Sequence, residues 1–358
     1  MYDDKILSKT ITALRFPMIF LVVLLHTIII DQNCFGKTLI PHGEYPVFEI
    51  LLHVLQRNIG DIAVPLFFFI SGYLFFLNIK DFNITIYKNK IKKRKKSLLI
   101  PYFLWNTLFF LFLLTCYLIS PSLVQSFDKY FSELTVTSFI QSYWSLNGGP
   151  ILSPMWFIRD LIILTLLSPF IYWIIKKTNL FIVIIVAVFF FIGIYYETPG
   201  IGGRIWFPYM FGAFWSIQGK NFLNTFDKYR LLIFSSFILF VFVDTWLSSI
   251  GHSFTIINHL SIAFGMASIP LVCAFFINKG VIQENSHIAK ASFFVFGFHM
   301  FIINIPNKFF PYLIPINTFT AILLQILIPL IVCIFSLIIY SVLNRLFPKL
   351  SNILVGER

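Results

Sequence analysis

Long apolar runs, each near the length of one membrane crossing, alternate with short polar breaks along the whole chain. A helix needs about 20 mainly apolar residues to span a hydrocarbon core. Ten intervals meet or approach that pattern: 11–30, 60–79, 98–119, 155–175, 180–196, 205–218, 231–249, 256–277, 289–306 and 317–343. They predict an all-α polytopic membrane protein of about ten transmembrane helices, forming a single transmembrane domain over 1–358 with no separate soluble domain. The interval 205–218 is short, and the turn-rich ETPGIGGR (197–204) breaks the chain before it. The stretches 31–59 and 120–154 are the longest expected loops, both on the outer side.

Composition agrees: 58% of residues are hydrophobic and 12% charged, with a mean hydropathy of +0.86, whereas soluble domains carry about 25% charged residues. A net charge of +12 raises the question of a nucleic-acid partner, but its densest part, KNKIKKRKKS (88–97), lies between two apolar runs. That position belongs to the inner face of a lipid bilayer, not to a nucleic-acid groove. With both termini cytoplasmic, 20 of the 27 Lys and Arg fall on the inner side and five on the outer. The first apolar run has no small-x-small cleavage site after it, so no removable leader is expected. Cys34, Cys116, Cys273 and Cys333 are far apart and read as packing residues, and no metal-ligand spacing is visible.

LRFPMIFLVVLLHT (14–27) carries Arg15 and His26 inside the first apolar segment. Eleven steps of about 100° return the two side chains to one helix face, about 16 Å apart along the axis. Arg15 lies near the inner boundary, where its stem can snorkel to water or lipid phosphate; His26 lies deeper. A neutral imidazole in a wet cleft exchanges a proton near pH 7, and a guanidinium fork holds a phosphate or carbonyl oxygen. The pair suits transfer of a group from a charged donor to a hydroxyl. In VPLFFFISGYLFF (64–76), Ser71 and Gly72 read as a close-packing motif. KNKIKKRKKS reads as an anchor for acidic headgroups or as a seat for the phosphates of a nucleotide-like donor. In SPMWFIRDLIILTLLSP (153–169), Trp156 is expected at the membrane interface, and Arg159 and Asp160, about 100° apart, are not expected to pair. His299, in ASFFVFGFHM (291–300), is a second histidine well inside an apolar run.

Five landmarks, in order, resemble the acyltransferase-3 family of bacterial membrane O-acyltransferases: Arg15 and His26 with ten residues between, PLFFFISGYL, KNKIKKRKKSLLIPY, PMWFIRDLIILTLLSP and SFFVFGFH. The chain departs from the family pattern in ITAL before Arg15, in a lysine-rich loop with only Arg94, and in Gly297-Phe298 where Tyr-Leu is common. The resemblance implies a multi-pass transferase of the bacterial inner membrane, moving an acyl group, most often acetyl from acetyl-CoA, to a hydroxyl of a cell-surface polysaccharide or lipid-linked glycan. It makes His26 the catalytic base and Arg15 the residue that orients the donor. Arg94, Lys93 and Lys95 would meet CoA phosphates, with Ser71, Trp156, Arg159 and His299 in support. The implied partners are acyl-CoA, a glycan or lipid-linked sugar and the lipid bilayer, without a metal. The alternative is a transporter or flippase for a lipid-linked glycan, which calls for repeats, helices broken at mid-membrane and coupling carboxylates. No repeat is visible, and Asp61, Asp160 and Asp244 map toward the outer ends of helices.

Overall fold

A computed structural model describes residues 2–34, 36–144, 148–194 and 203–357. The first helices are α1 (Asp4–Leu25), α2 (Pro46–Phe76), α3 (Ile84–Ile119), α4 (Val136–Tyr143), α5 (Trp156–Leu166), α6 (Ser168–Thr178) and α7 (Leu180–Ile192). Then come α8 (Gly203–Ile217), α9 (Arg230–Ser249), α10 (Thr255–Asn278), α11 (Ser286–Ile302), α12 (Asn304–Leu313) and α13 (Thr318–Leu346). Among the described residues the molecule is all-α apart from a two-residue antiparallel pairing of Asn33–Cys34 with Lys37–Thr38.

Helices occupy all ten apolar intervals, but they do not make ten full crossings among the described residues. Six are long and apolar enough alone (α1, α2, α3, α9, α10 and α13), and two bent pairs raise the number to eight. The segment from Ser153 through α5 meets α6 at 63°, and α11 meets α12 at 59°. At 13 and 15 residues, α7 and α8 fall short of the about 20 a crossing needs. The break expected at 197–204 lies outside the described residues except for its last two positions.

The expected loop 31–59 is also shorter than its polarity suggested. α2 starts at Pro46, and His53–Ile59 is wound as π-helix before a 3-10 turn over Gly60–Ile62. In 120–154, α4 forms behind a reciprocal cap between Thr135 and Ser138.

α1 is the axis of the molecule, with α2, α10, α11 and α13 packed around it. Its buried residues Leu7, Ile11, Leu14, Met18 and Val22 recur every three or four positions, as a helix with one face to the core requires. α9 lies outermost, and Leu231, Ile238 and Phe242 are exposed along it, as lipid-facing side chains are. α2 and α8 cross backbone to backbone. A Cβ on Gly72 would lie 2.1 Å from the Tyr209 carbonyl oxygen, and one on Gly212 would lie 1.9 Å from that of Phe69. Gly72 therefore carries the close-packing role expected of the Ser71-Gly72 pair.

Candidate active site

α1 ends inside the protein. Leu25 is its last residue, and His26 caps it with a backbone N–H directed to the carbonyls of Val22 and Val23. The last carbonyls of a helix have no partner within it and must be satisfied elsewhere. Three side-chain amides from three helices do so here. Gln56 of α2 donates to Leu24 O at 3.0 Å and to Thr27 O at 2.9 Å. Gln325 of α13 donates to Thr27 O at 3.1 Å, and Asn307 of α12 to His26 O at 3.0 Å. The backbone on both sides of His26 is thereby clamped. The His299 ring, fully buried, lies 5.3 Å from the His26 ring at a tilt of 43°. His299 Nδ1 pairs with Val295 O at 3.2 Å, and a carbonyl only accepts, so Nδ1 carries the proton. Its Nε2 is then an acceptor, buried and without a hydrogen-bond partner among the described residues.

Four cavities follow one another past this point, each sharing residues with the next. A cleft of ≈ 390 Å³ is lined by Lys90, Lys93, Arg94 and Ser97. Arg94 and Ser97 also line a cavity of ≈ 340 Å³ with Arg15, Ser71, Phe157 and Phe296. Those two phenylalanines, edge to face at 6.1 Å, line in turn a cavity of ≈ 240 Å³ that holds His26, Asp61, Trp156 and His259. Asp61 and Leu25 then border the last and largest, ≈ 760 Å³, which contains His53, Gln56, Arg57 and Ser248. The row runs from a cationic mouth, through an aromatic constriction, to an imidazole and a second polar mouth.

The residues singled out in the sequence divide between this row and its surroundings. Arg15 and Arg94 line one cavity, and neither has an ion-pair partner among the described residues. Unpaired guanidinium groups in an apolar cavity are costly unless an anion joins them. Lys93 lines the cationic cleft, whereas Lys95 is exposed and lines none of the four cavities. Lys90 takes its place: one helical turn before Arg94, it donates to the Phe75 carbonyl and stands 5.2 Å over the Phe75 ring, with Arg94 at 5.8 Å. That i, i+4 spacing was a visible signal.

Trp156, expected at the membrane interface, is half-buried and turned into the molecule. It lines the His26 cavity, 6.3 Å from the Phe68 ring. Arg159 and Asp160 do pair, Nε to Oδ1 at 3.0 Å, and both are buried, at 5% and 6% exposure. The long arginine side chain curls back at the helix start, and its Nη1 also donates to Gly148 O at 2.7 Å. Burial away from water makes that contact worth forming despite the unfavourable spacing. Gln56, Asn307, Gln325 and His259 carried no sequence signal.

A model of the acyltransferase domain matches residues 9–344. The chain belongs to the acyltransferase-3 family. The matched span takes in α1 from Lys9 onward, both arginines and the whole row of cavities. Among curated proteins, the Succinoglycan biosynthesis protein ExoH of Rhizobium meliloti (strain 1021) is 26% identical over 168 residues, 46% of this chain and 42% of that protein. The match therefore spans less than half the length of that relative. No solved structure matches the chain. In this acyltransferase the departure at Gly297 has a packing cause. A Cβ there would lie 2.3 Å from Cε2 of Trp105, whose indole N–H donates to Leu354 O at 3.0 Å.

Proposed function

We propose that this membrane acyltransferase moves an acyl group, acetyl in the simplest case, from acyl-CoA to a hydroxyl of a cell-surface polysaccharide or lipid-linked glycan, in the cell membrane of a bacterium. The observation that carries the reading is the row of cavities, cationic at one mouth and bearing His26 beyond the aromatic constriction. CoA has phosphates on one end of a thin arm and the thioester on the other. Lys90, Lys93 and Arg94 suit the phosphates, Arg15 steadies oxygens of the arm, and Phe157 and Phe296 flank its tip. His26 takes the proton of the acceptor hydroxyl as the oxygen attacks the thioester carbonyl carbon. The C–S bond breaks, and the departing thiolate receives that proton. Phe157, Phe296 and Trp156 keep bulk water from the carbonyl. The family and the name of the succinoglycan relative support an acyl transfer onto polysaccharide.

Inverted membrane vesicles given acetyl-labelled acetyl-CoA test the reading through label entering glycolipid or polysaccharide. Transfer is expected to fall about 10²-fold or more in His26→Ala. Undiminished transfer in His26→Gln would sink the assignment of the base. The bent pairs α5–α6 and α11–α12 favour a second reading, glycan transport, because discontinuous helices line transporter sites. Glycan movement without CoA in the same vesicles would support transport over transfer.

A further inference from the structure

The largest of the four cavities contains a constellation unused by the reaction above. His53, in the π-helical turn of α2, stands between two residues of α9: Asp244 Oδ2 is 2.7 Å from its Nε2, and Ser248 Oγ is 3.1 Å from its Nδ1. An ionised carboxylate only accepts, so Nε2 carries a proton toward Asp244. In the neutral ring Nδ1 is then an acceptor, and the hydroxyl of Ser248 donates to it. Asp244 is 5% exposed, on the buried side of a helix whose outer face is mainly apolar, and a carboxylate there has to be held by a partner. His53 and Ser248 both border the cavity, and Arg57 lines it as well. Hydroxyl, imidazole and carboxylate in line turn a serine into a nucleophile; here the serine faces Nδ1 and the carboxylate Nε2, the two ring nitrogens exchanged relative to the Ser-His-Asp triad of the serine proteases.

We propose that Ser248 is an acyl-accepting nucleophile, with His53 as its base and Asp244 as the positioning residue that sets the His53 tautomer. The substrate class is an activated acyl ester or thioester with a small acyl group. Ser248 Oγ attacks the carbonyl carbon and its proton passes to His53 Nδ1. Arg57 meets the charge developing on the carbonyl oxygen, and the C–S or C–O bond breaks with the leaving group taking the proton. A sugar hydroxyl then attacks the acyl-serine, giving its proton to His53, which returns it to Ser248. The cavity, at ≈ 760 Å³, lies within the range of about 300–1,000 Å³ typical of small-molecule sites. Its neighbour, reached past Leu25 and Asp61, holds His26. The supply of thioester rests on the acyltransferase reading; the nucleophile itself does not.

The full-length protein in nanodiscs, treated with a fluorophosphonate probe and mapped by peptide mass spectrometry, tests this directly. The expected result is one label per chain, on Ser248, absent in Ser248→Ala. Labelling should slow about 10²-fold in His53→Gln and slow likewise in Asp244→Asn, with part of the rate restored in Asp244→Glu. p-Nitrophenyl acetate should give a burst of one nitrophenol per chain that Ser248→Ala abolishes. An unlabelled Ser248 in protein with an unchanged melting temperature overturns the proposal, as does a labelling rate indifferent to His53 and Asp244. If Ser248 is unlabelled while CoA-dependent transfer onto glycan proceeds in Ser248→Ala, this proposal falls and the transfer reading stands.

Discussion

Gln325 is 1% exposed within α13, and its amide reaches a carbonyl 298 positions earlier in the chain, that of Thr27. With Gln56 and Asn307 it converts the frayed end of α1 into a fixed mount for His26. Gln325→Leu keeps the side-chain bulk and removes one donor from a buried carbonyl, a loss of about 1 kcal/mol. A lower melting temperature in nanodiscs is expected, with reduced turnover and an unchanged KM for acyl-CoA, since the cationic mouth is untouched. His299→Phe retains a ring beside His26 but removes its bare Nε2. It should lower transfer about tenfold, which is 1.4 kcal/mol of barrier, while thermal unfolding stays as in the parent. Unaltered transfer would mean that His299 only fills space. Arg15 and His26 stand out in the sequence because both are polar inside one apolar run, and the structure sets them in adjoining cavities. The amide clamp does not stand out, since no periodicity links a glutamine in α2 or α13 to the carbonyls of α1.

The helices were legible as intervals because apolar length is a local property of the chain. Their bends, and the start of α2 fourteen residues before its apolar run, were not. A π-turn with polar side chains reads as loop until its neighbours are known, and here α9 and α10 cover it. The crossing of α2 and α8 sets the strictest requirement on any element pair. Gly72→Ala or Gly212→Ala drives a methyl into a backbone carbonyl that only a shift of a whole helix relieves. Each should cost about 1–3 kcal/mol, read as a drop in unfolding temperature in nanodiscs. Ser71→Ala, beside the same crossing but facing the Arg15 cavity, should change stability by less than about 0.5 kcal/mol.

Across the molecule, Lys90, Lys93 and Arg94 gather at one mouth of the row of cavities, within the basic stretch 88–97 that stands out in the sequence. Which lysines serve it was decided by side-chain direction: Lys90 and Lys93 line the cleft and Lys95 does not. Lys90→Gln and Lys93→Gln are expected to raise the Kd of CoA about tenfold each, with an effect that shrinks as ionic strength rises. Lys95→Gln should leave it unaltered; equilibrium titration of CoA at two salt concentrations separates the three. A membrane-impermeant maleimide applied to inverted vesicles should reach Lys95→Cys and miss Val47→Cys, and the reverse pattern would overturn the expectation that both termini are cytoplasmic. The π-wound stretch of α2 has a mechanical consequence as well. It carries His53 into the far mouth and, one turn on, Gln56 onto the carbonyls that flank His26. One short stretch of backbone therefore joins the far cavity to the carbonyls that hold His26 in place.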